Sequence, residues 1–156
     1  MTTRTPPPFE RFLAEQGGAV MRFLLVAVGP DQADDVYQDV FLSALKAYPR
    51  VRDDGRLDRW ILTIASRSAI DHHRRRARHA LPTDEVPETA VHDPEPGDAA
   101  LWSAVAALPP KQRVAVVLRH VLDRPYDEIA EALGSSVDAA RASVHAGLST
   151  LRERIT

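Results

Sequence analysis

Four arginines, Arg74, Arg75, Arg76 and Arg78, fall within the stretch AIDHHRRRARHA, Ala69 to Ala80. Guanidiniums this close repel one another unless anions offset them, and a phosphate backbone is the obvious anion. The competing explanation is structural, because cations at a helix C-terminus also favour the macrodipole. Asp71, His72 and His73 precede the arginines. As metal ligands they are a poor set, since adjacent side chains on a helix point about 100° apart.

A second stretch, PYDEIAEALGSSVDAARASVH, runs from Pro125 to His145. Ala130 and Gly134 stand where a helix-turn-helix needs a small residue and a tight turn. The second helix of such a motif lies in the major groove with its early residues at the base edges. Here those residues include Arg141, Ala142, Ser143 and His145, with Arg113 and Arg119 available from a neighbouring helix. So few cations leave open a helical hairpin that only packs.

A third stretch, DVYQDVFLSAL, Asp35 to Leu45, lies in a segment that places Ala33, Val36, Tyr37, Val40, Phe41, Ala44 and Tyr48 at three- and four-residue spacing, one apolar helix face. The opposite face presents Asp34, Asp35, Gln38, Asp39 and Leu42. An acidic solvated face near a helix N-terminus accounts for the charge; a docking surface for a partner helix accounts for it as well.

The elements that must position these groups are helices throughout. Phe9 to Val28 reads as a helix, or a pair broken at Gly17-Gly18. Gly29-Pro30 ends it, and Asp31 is a candidate cap for the next helix, which Pro49 stops. A third runs from about Leu57 to Arg78 with Leu57, Trp60, Ile61, Ile64 and Ala65 inward. Leu101, Val105 and Leu108 mark a short helix before Pro109-Pro110, and Val114, Val117, Leu118 and Val121 mark another. Pro125 suits the first turn of the next helix, Gly134 its left-handed end, and Ser136 the cap of the last. Val137, Ala140, Val144, Leu148, Leu151 and Ile155 carry an apolar stripe onward. No segment alternates with period two long enough to be a strand, so the class is all-α.

Between Leu81 and Gly97 lie four prolines and five acidic residues, and no Lys or Arg occurs from position 80 to position 100. Proline blocks helix continuation, and so polar a segment cannot bury enough surface to offset ordering. It reads as a flexible acidic linker at 81–98 joining two small helical domains, 1–80 and 99–156. The net charge of −2 gives no global sign of a nucleic-acid partner, but the local clusters do. With no cysteine, disulfides and thiolate metal sites are excluded. The start, MTTRTPPPFERF, lacks the layout of a signal peptide, and the run FLLVAV is too short to span a bilayer, so a cytoplasmic protein without membrane insertion is expected. No carboxylate pair, nucleophile–base set or glycine-rich phosphate loop suggests an enzyme, and no cofactor is expected.

The order of these pieces resembles a known family. DDVYQDVFL precedes WILTIASRSAIDHHRRR; a Pro-rich acidic segment follows, then ALPPKQRVAVVLR, YDEIAEALG and a terminal helix ending LRER. This is similar to the extracytoplasmic-function group of sigma-70-type sigma factors, over nearly the whole chain. The resemblance implies a non-catalytic specificity subunit that binds core RNA polymerase and recognises the −10 and −35 promoter elements. It implies a first domain like sigma region 2 and a second like sigma region 4. Asp35, Gln38, Asp39 and Leu42 match the contact with the β′ clamp. The segment from Arg52 through Trp60 to Arg78 matches the part that melts and reads the −10 element, with Arg59, Arg67, Ser68 and the four clustered arginines as its DNA contacts. Tyr126–Leu151 matches the −35 reader, which also lies on the β flap. The linker matches a segment threaded toward the RNA exit path, and an anti-sigma protein is an implied possible partner. Where relatives typically read VKSRLHRAR, this chain has ARASVHAGL from Ala140 to Leu148. Weak −35 binding is the expectation, and a degenerate polymerase-binding regulator is the alternative function.

Overall fold

The computed structural model describes residues 4–79 and 98–155; the linker proper, 81–97, lies outside them. Among the described residues there are seven α-helices: α1 Phe9–Ala27, α2 Pro30–Ala47, α3 Leu57–His79, α4 Asp98–Ala106, α5 Pro110–His120, α6 Tyr126–Leu133 and α7 Val137–Ile155. A 3₁₀ turn, Tyr48–Arg50, follows α2. Among these residues, extended backbone pairs only at one isolated bridge, Arg4 with Asp53. Asp98, expected to close the linker, opens α4 instead.

α1 is continuous through Gly17-Gly18 rather than broken. Two glycines cost a helix interior about 1 kcal/mol each, but packing overrides propensity here. Gly17 is buried, and a Cβ on it would stand 2.6 Å from the Tyr37 hydroxyl oxygen. The missing side chain leaves room for the tip of the Tyr37 ring of α2. The cap of α2 is not Asp31 but Gly29, in a left-handed conformation (φ 88°) that glycine adopts without a Cβ clash. Pro30 takes the first helical position, where its missing N–H costs nothing. Asp31 sits in the first turn, favourable to the macrodipole.

α1, α2 and α3 pack together around Phe12, Val20, Phe23, Leu24, Val36, Val40 and Ile61, all nearly or fully buried. The aromatic rings of Phe9, Phe12, Phe41, Tyr48 and Trp60 cluster at one end, with centroids 5.2–6.5 Å apart. The Tyr48 hydroxyl donates to the Pro7 carbonyl and ties the N-terminal segment down.

In the second unit, Pro125 precedes α6 as its cap residue rather than joining its first turn. Gly134 is left-handed (φ 66°), and the Ser135 N–H turns back to the Ala130 carbonyl at 2.9 Å. The Ser136 hydroxyl oxygen accepts from the Ala139 N–H at 3.1 Å, capping α7 as expected. α6 and α7 are thus a helix-turn-helix. α7 buries Ala140, Val144, Gly147 and Leu151, whereas Val137 and Ile155 are exposed. Gly147 lies outside the expected apolar stripe. A Cβ there would come 2.5 Å from a Val116 methyl, so the glycine brings α7 onto α5. Val121, expected on the apolar face of α5, is 43% exposed because it lies one residue past the helix end.

The two units do not stand apart. α3 packs on α5 and α6, and α1 on α5 and α4. Ile61, Ala65 and Ala69 belong to the same buried apolar cluster as Val114, Leu118 and Ile129.

Candidate nucleic-acid and partner interfaces

On α2 the apolar stripe is buried and the opposite face is free. Asp35, Gln38 and Asp39 are exposed, and Leu42 and Leu45 beside them are 57% and 49% exposed. Residues 35, 38, 39, 42 and 45 share one face by helical spacing. A merely solvated acidic face does not need two exposed leucines in register with its acids.

On α3 the four clustered arginines are exposed, as is Arg67, while Ser68 is half-buried. Asp71, Arg74, Arg75 and Arg78 line one open, shallow cleft. His73 turns the other way: its Nε2 lies 2.7 Å from the carbonyl oxygen of Ala27, so the ring serves the C-terminal end of α1. Burial pushes the His73 imidazole below its ordinary value, with the nearby Arg113 charge acting in the same direction. His72 is lowered as well, by burial and then by Arg76 and Arg75. Among the described residues no three His, Asp or Glu side chains converge as a metal site would require.

Arg59, expected at an exposed position for base contact, is not free in this arrangement. Its side chain is 19% exposed, and its Nη2 lies 3.0 Å from Glu131 and 3.4 Å from Asp127, with Nε 3.8 Å from Glu128. All three carboxylates are on α6. Arg124 makes the reciprocal pair: its Nη1 reaches Asp58 of α3 at 2.7 Å and its own Glu128 at 3.2 Å. Burial by itself would raise the Asp58 carboxyl. The hydrogen bonds from Arg124 and from the Arg59 backbone, with the Arg124 charge, hold it below the ordinary carboxylate value.

Arg113, expected to assist at the −35 face, is only 6% exposed and reaches no surface. Its Nη2 and Nε donate to the Val26 carbonyl at 2.9 and 3.3 Å, and its Nη1 to the Ala106 carbonyl at 3.5 Å. One guanidinium thereby serves the otherwise unpaired C-terminal carbonyls of α1 and α4, where a cation is favoured. Burial lowers its pKa to about 10, which leaves it charged at neutral pH.

Arg119 and Arg141 share a ring. Their guanidinium carbons lie 4.5 and 5.0 Å from the centroid of Tyr126. Arg119 is further fixed by donating to the Arg124 carbonyl at 3.2 Å. Arg141, Ala142 and His145 are exposed on α7, and Ser143 is half-buried. Sequence reasoning gives no role to the Tyr126 ring or to Arg124. An aromatic just after Pro125 and an arginine just before it are visible in the sequence, but their partners lie on other helices.

The described helices thus present an exposed basic row on α3, an exposed acidic–apolar face on α2 and a helix-turn-helix in α6 and α7. The family model described as Sigma-70 region 2 matches residues 15–79, and that described as Sigma-70, region 4 matches residues 98–151. The chain is 33% identical over 151 residues to the ECF RNA polymerase sigma factor SigD of Mycobacterium tuberculosis, covering 87% of this chain and 71% of the relative. It is 35% identical over 132 residues to ShbA, an ECF RNA polymerase sigma factor of Streptomyces griseus, covering 76% and 69%. In fold it is similar to the sigma factor RpoE of Bartonella quintana, solved in complex with the anti-sigma factor NepR, with TM-score 0.76, 20% identity and 94% and 96% of the two chains covered. The chain belongs to the ECF group of sigma-70-type sigma factors, which direct bacterial RNA polymerase to promoters. That family acts in transcription rather than as enzymes. No helix among the described residues is long and apolar enough to cross a membrane.

Proposed function

We propose a division of labour for this sigma factor among three exposed surfaces. The face of Asp35, Gln38, Asp39 and Leu42 docks on the β′ clamp of core polymerase. The row Arg67, Ser68, Arg74, Arg75, Arg76 and Arg78, joined by Arg59 once it is free, follows and reads the −10 strand. Arg141, Ala142, Ser143 and His145 of α7, with Arg119, face the −35 element, and the same unit lies on the β flap. Arg113 takes no part in this interface, because its guanidinium is committed to two helix ends. The protein works in the cytoplasm, and an anti-sigma protein is its expected regulator.

The observation that carries this reading is the placement of an exposed arginine row on α3 and an exposed Arg141 on α7, each in its own unit of one chain. A phosphate backbone satisfies the first and a guanine edge the second. The test is promoter-directed transcription with purified core polymerase. RNA starting at defined sites only when the chain is present supports the reading. Core binding without site-specific starts favours the second reading, a polymerase-binding competitor. The observation behind that second reading is the thin charge of α7, with Ser143, Ala146 and Leu148 on the segment where arginines are typical.

A further inference from the structure

The chain ahead of α1 is tied to the loop that leads into α3. Residues 4–8 form an arm, and its first residue pairs with the loop. The Arg4 N–H donates to the Asp53 carbonyl at 2.9 Å, and the Asp53 N–H donates back to the Arg4 carbonyl at 3.2 Å. Pro6, Pro7 and Pro8 stiffen the arm, each fixing its own φ. The end next to α1 is held at two points. The Tyr48 hydroxyl donates to the Pro7 carbonyl, and Phe9 meets the Tyr48 ring edge-on with centroids 5.2 Å apart. Burial, then the carboxylates of Asp53 and Glu15, push the Tyr48 hydroxyl above its ordinary pKa, so it keeps its proton and remains a donor.

The loop, residues 51–56, turns its acids onto its own backbone. Asp53 Oδ1 accepts from the Gly55 N–H at 3.0 Å, and Asp54 Oδ1 from the Arg56 N–H at 3.1 Å. Its arginines are left in solvent. Arg52 and Arg56 are exposed, and so is Arg4 on the arm. None of the three makes an ion pair among the described residues. Three exposed guanidiniums about one short loop, whose carboxylates already serve amides, call for an anion from outside. The other end of α3, about 30 Å away at 1.5 Å per residue, carries the row Arg74 to Arg78. A strand lying along α3 would meet positive charge at both ends.

We propose that the N-terminal arm is a working part of the −10 reader. Its backbone bridge fixes the loop, and Arg4 binds a phosphate of the melted DNA strand beside Arg52 and Arg56. Freed of the bridge, the loop would sample other positions, and ordering it on DNA would then cost affinity. The proposal rests on the assignment of α3 to the −10 strand.

The test uses holoenzyme reconstituted with the full chain and a labelled promoter fork whose −10 region is single-stranded. Arg4→Ala removes the charge and keeps both backbone bonds. Its affinity should fall about threefold, and its salt slope should flatten by roughly 0.7 unit, as for one phosphate contact on a single strand. Arg4→Lys keeps the charge and should restore most of the affinity. Arg4→Pro removes the charge together with the N–H donor of the bridge. It should bind the fork several-fold more weakly than Arg4→Ala and lower the permanganate reactivity of −10 thymines on duplex promoter. Tyr48→Phe keeps every arginine and the ring but releases Pro7, and should weaken fork binding by a smaller factor. Core affinity and −35 protection should match wild type in every variant. An arm that only braces the fold would lower the melting temperature of these variants and leave the salt slope of Arg4→Ala at the wild-type value. Wild-type affinity and slope in Arg4→Ala would overturn the phosphate contact, and Arg4→Pro binding as well as Arg4→Ala would overturn the role of the bridge. The chain with Arg74, Arg75 and Arg76 replaced by alanine, assayed on the same fork, separates the two failures. If it also binds as wild type, the assignment of α3 falls; if it alone weakens, only the role of the arm does.

Discussion

Among the proposed DNA contacts Arg141 stands most alone. It is exposed on α7, its guanidinium lies over Tyr126, and no other arginine or lysine occurs from Val137 to Thr150. A ring beneath a guanidinium narrows its freedom at a gain of about 0.5–1 kcal/mol on an exposed surface. A bidentate contact to guanine adds about 1–3 kcal/mol of discrimination. Arg141→Ala will therefore remove −35 protection in a holoenzyme footprint while −10 opening is partly retained. Tyr126→Leu will weaken the same protection by a smaller factor, and Tyr126→Phe will leave it near wild type, because the ring face is kept. On the proposed reading the arginines of α3 act differently, through charge rather than shape. Replacing Arg74, Arg75 and Arg76 with alanine will lower promoter affinity and flatten its dependence on salt. The slope should change by about one unit or less for each phosphate no longer neutralised, read from binding isotherms at several salt concentrations. An unaltered slope would show that these side chains do not meet phosphate.

At the scale of elements, α2 is divided cleanly. One face supplies Ala33, Val36, Val40, Phe41 and Ala44 to the core, and the other offers carboxylates beside exposed leucines. Because the exposed face contributes nothing to the core, it can be altered without unfolding the helix. Asp35→Arg with Asp39→Arg will weaken binding to core polymerase several-fold or more at unchanged helix content, since charge reversal turns complementary fields into repulsion. Wild-type affinity in the double variant, measured by titration of labelled chain with core enzyme, would remove this face from the interface. α6 is the counterpart in the second unit. Asp127 and Glu128 favour its own N-terminus, and Asp127 and Glu131 also reach across to Arg59, so one short helix serves both the helix-turn-helix and the contact with α3.

For the whole molecule, the shared core makes a thermodynamic statement. Units of about 80 and 55 residues are each small enough to be marginal alone, and α3 against α5 and α6 completes both. Buried Arg113 adds to this, because separating the units strips its guanidinium from the Val26 carbonyl. The chain carries two tryptophans, Trp60 in the first unit and Trp102 in the second, so each unit can be followed alone. Thermal melts of the Trp60→Phe and Trp102→Phe chains, monitored by the remaining indole, will coincide at low salt, as expected of one cooperative unit. In high salt, which screens the ion pairs between the units, the two melts will separate.

Local rules were enough for the helical elements and for most of their buried faces, though not for Val121, Val137, Ile155 or Gly147. Helical periodicity placed the core residues of α2, Gly134 its left-handed turn and Ser136 its cap, because these are local consequences of side-chain size and backbone hydrogen bonding; in α3 it placed Ile61 and Ala65 but not Leu62, Ser66, Ala69 or Ile70, while Leu57, Trp60 and Ile64 are only half-buried. The order of its motifs was enough to mark the family. Tertiary structure decided what sits opposite what. Gly17-Gly18 reads as a possible break, whereas α1 runs straight through it with Gly17 buried beside the Tyr37 hydroxyl of α2. Arg59 and Arg113 read as DNA contacts, since a sequence shows a charge but not its partner. The partners here are α6 carboxylates, 68 to 72 residues away along the chain, and the Val26 carbonyl, 87 residues away. Contacts at such separation depend on how two units pack, which periodicity within either one does not encode.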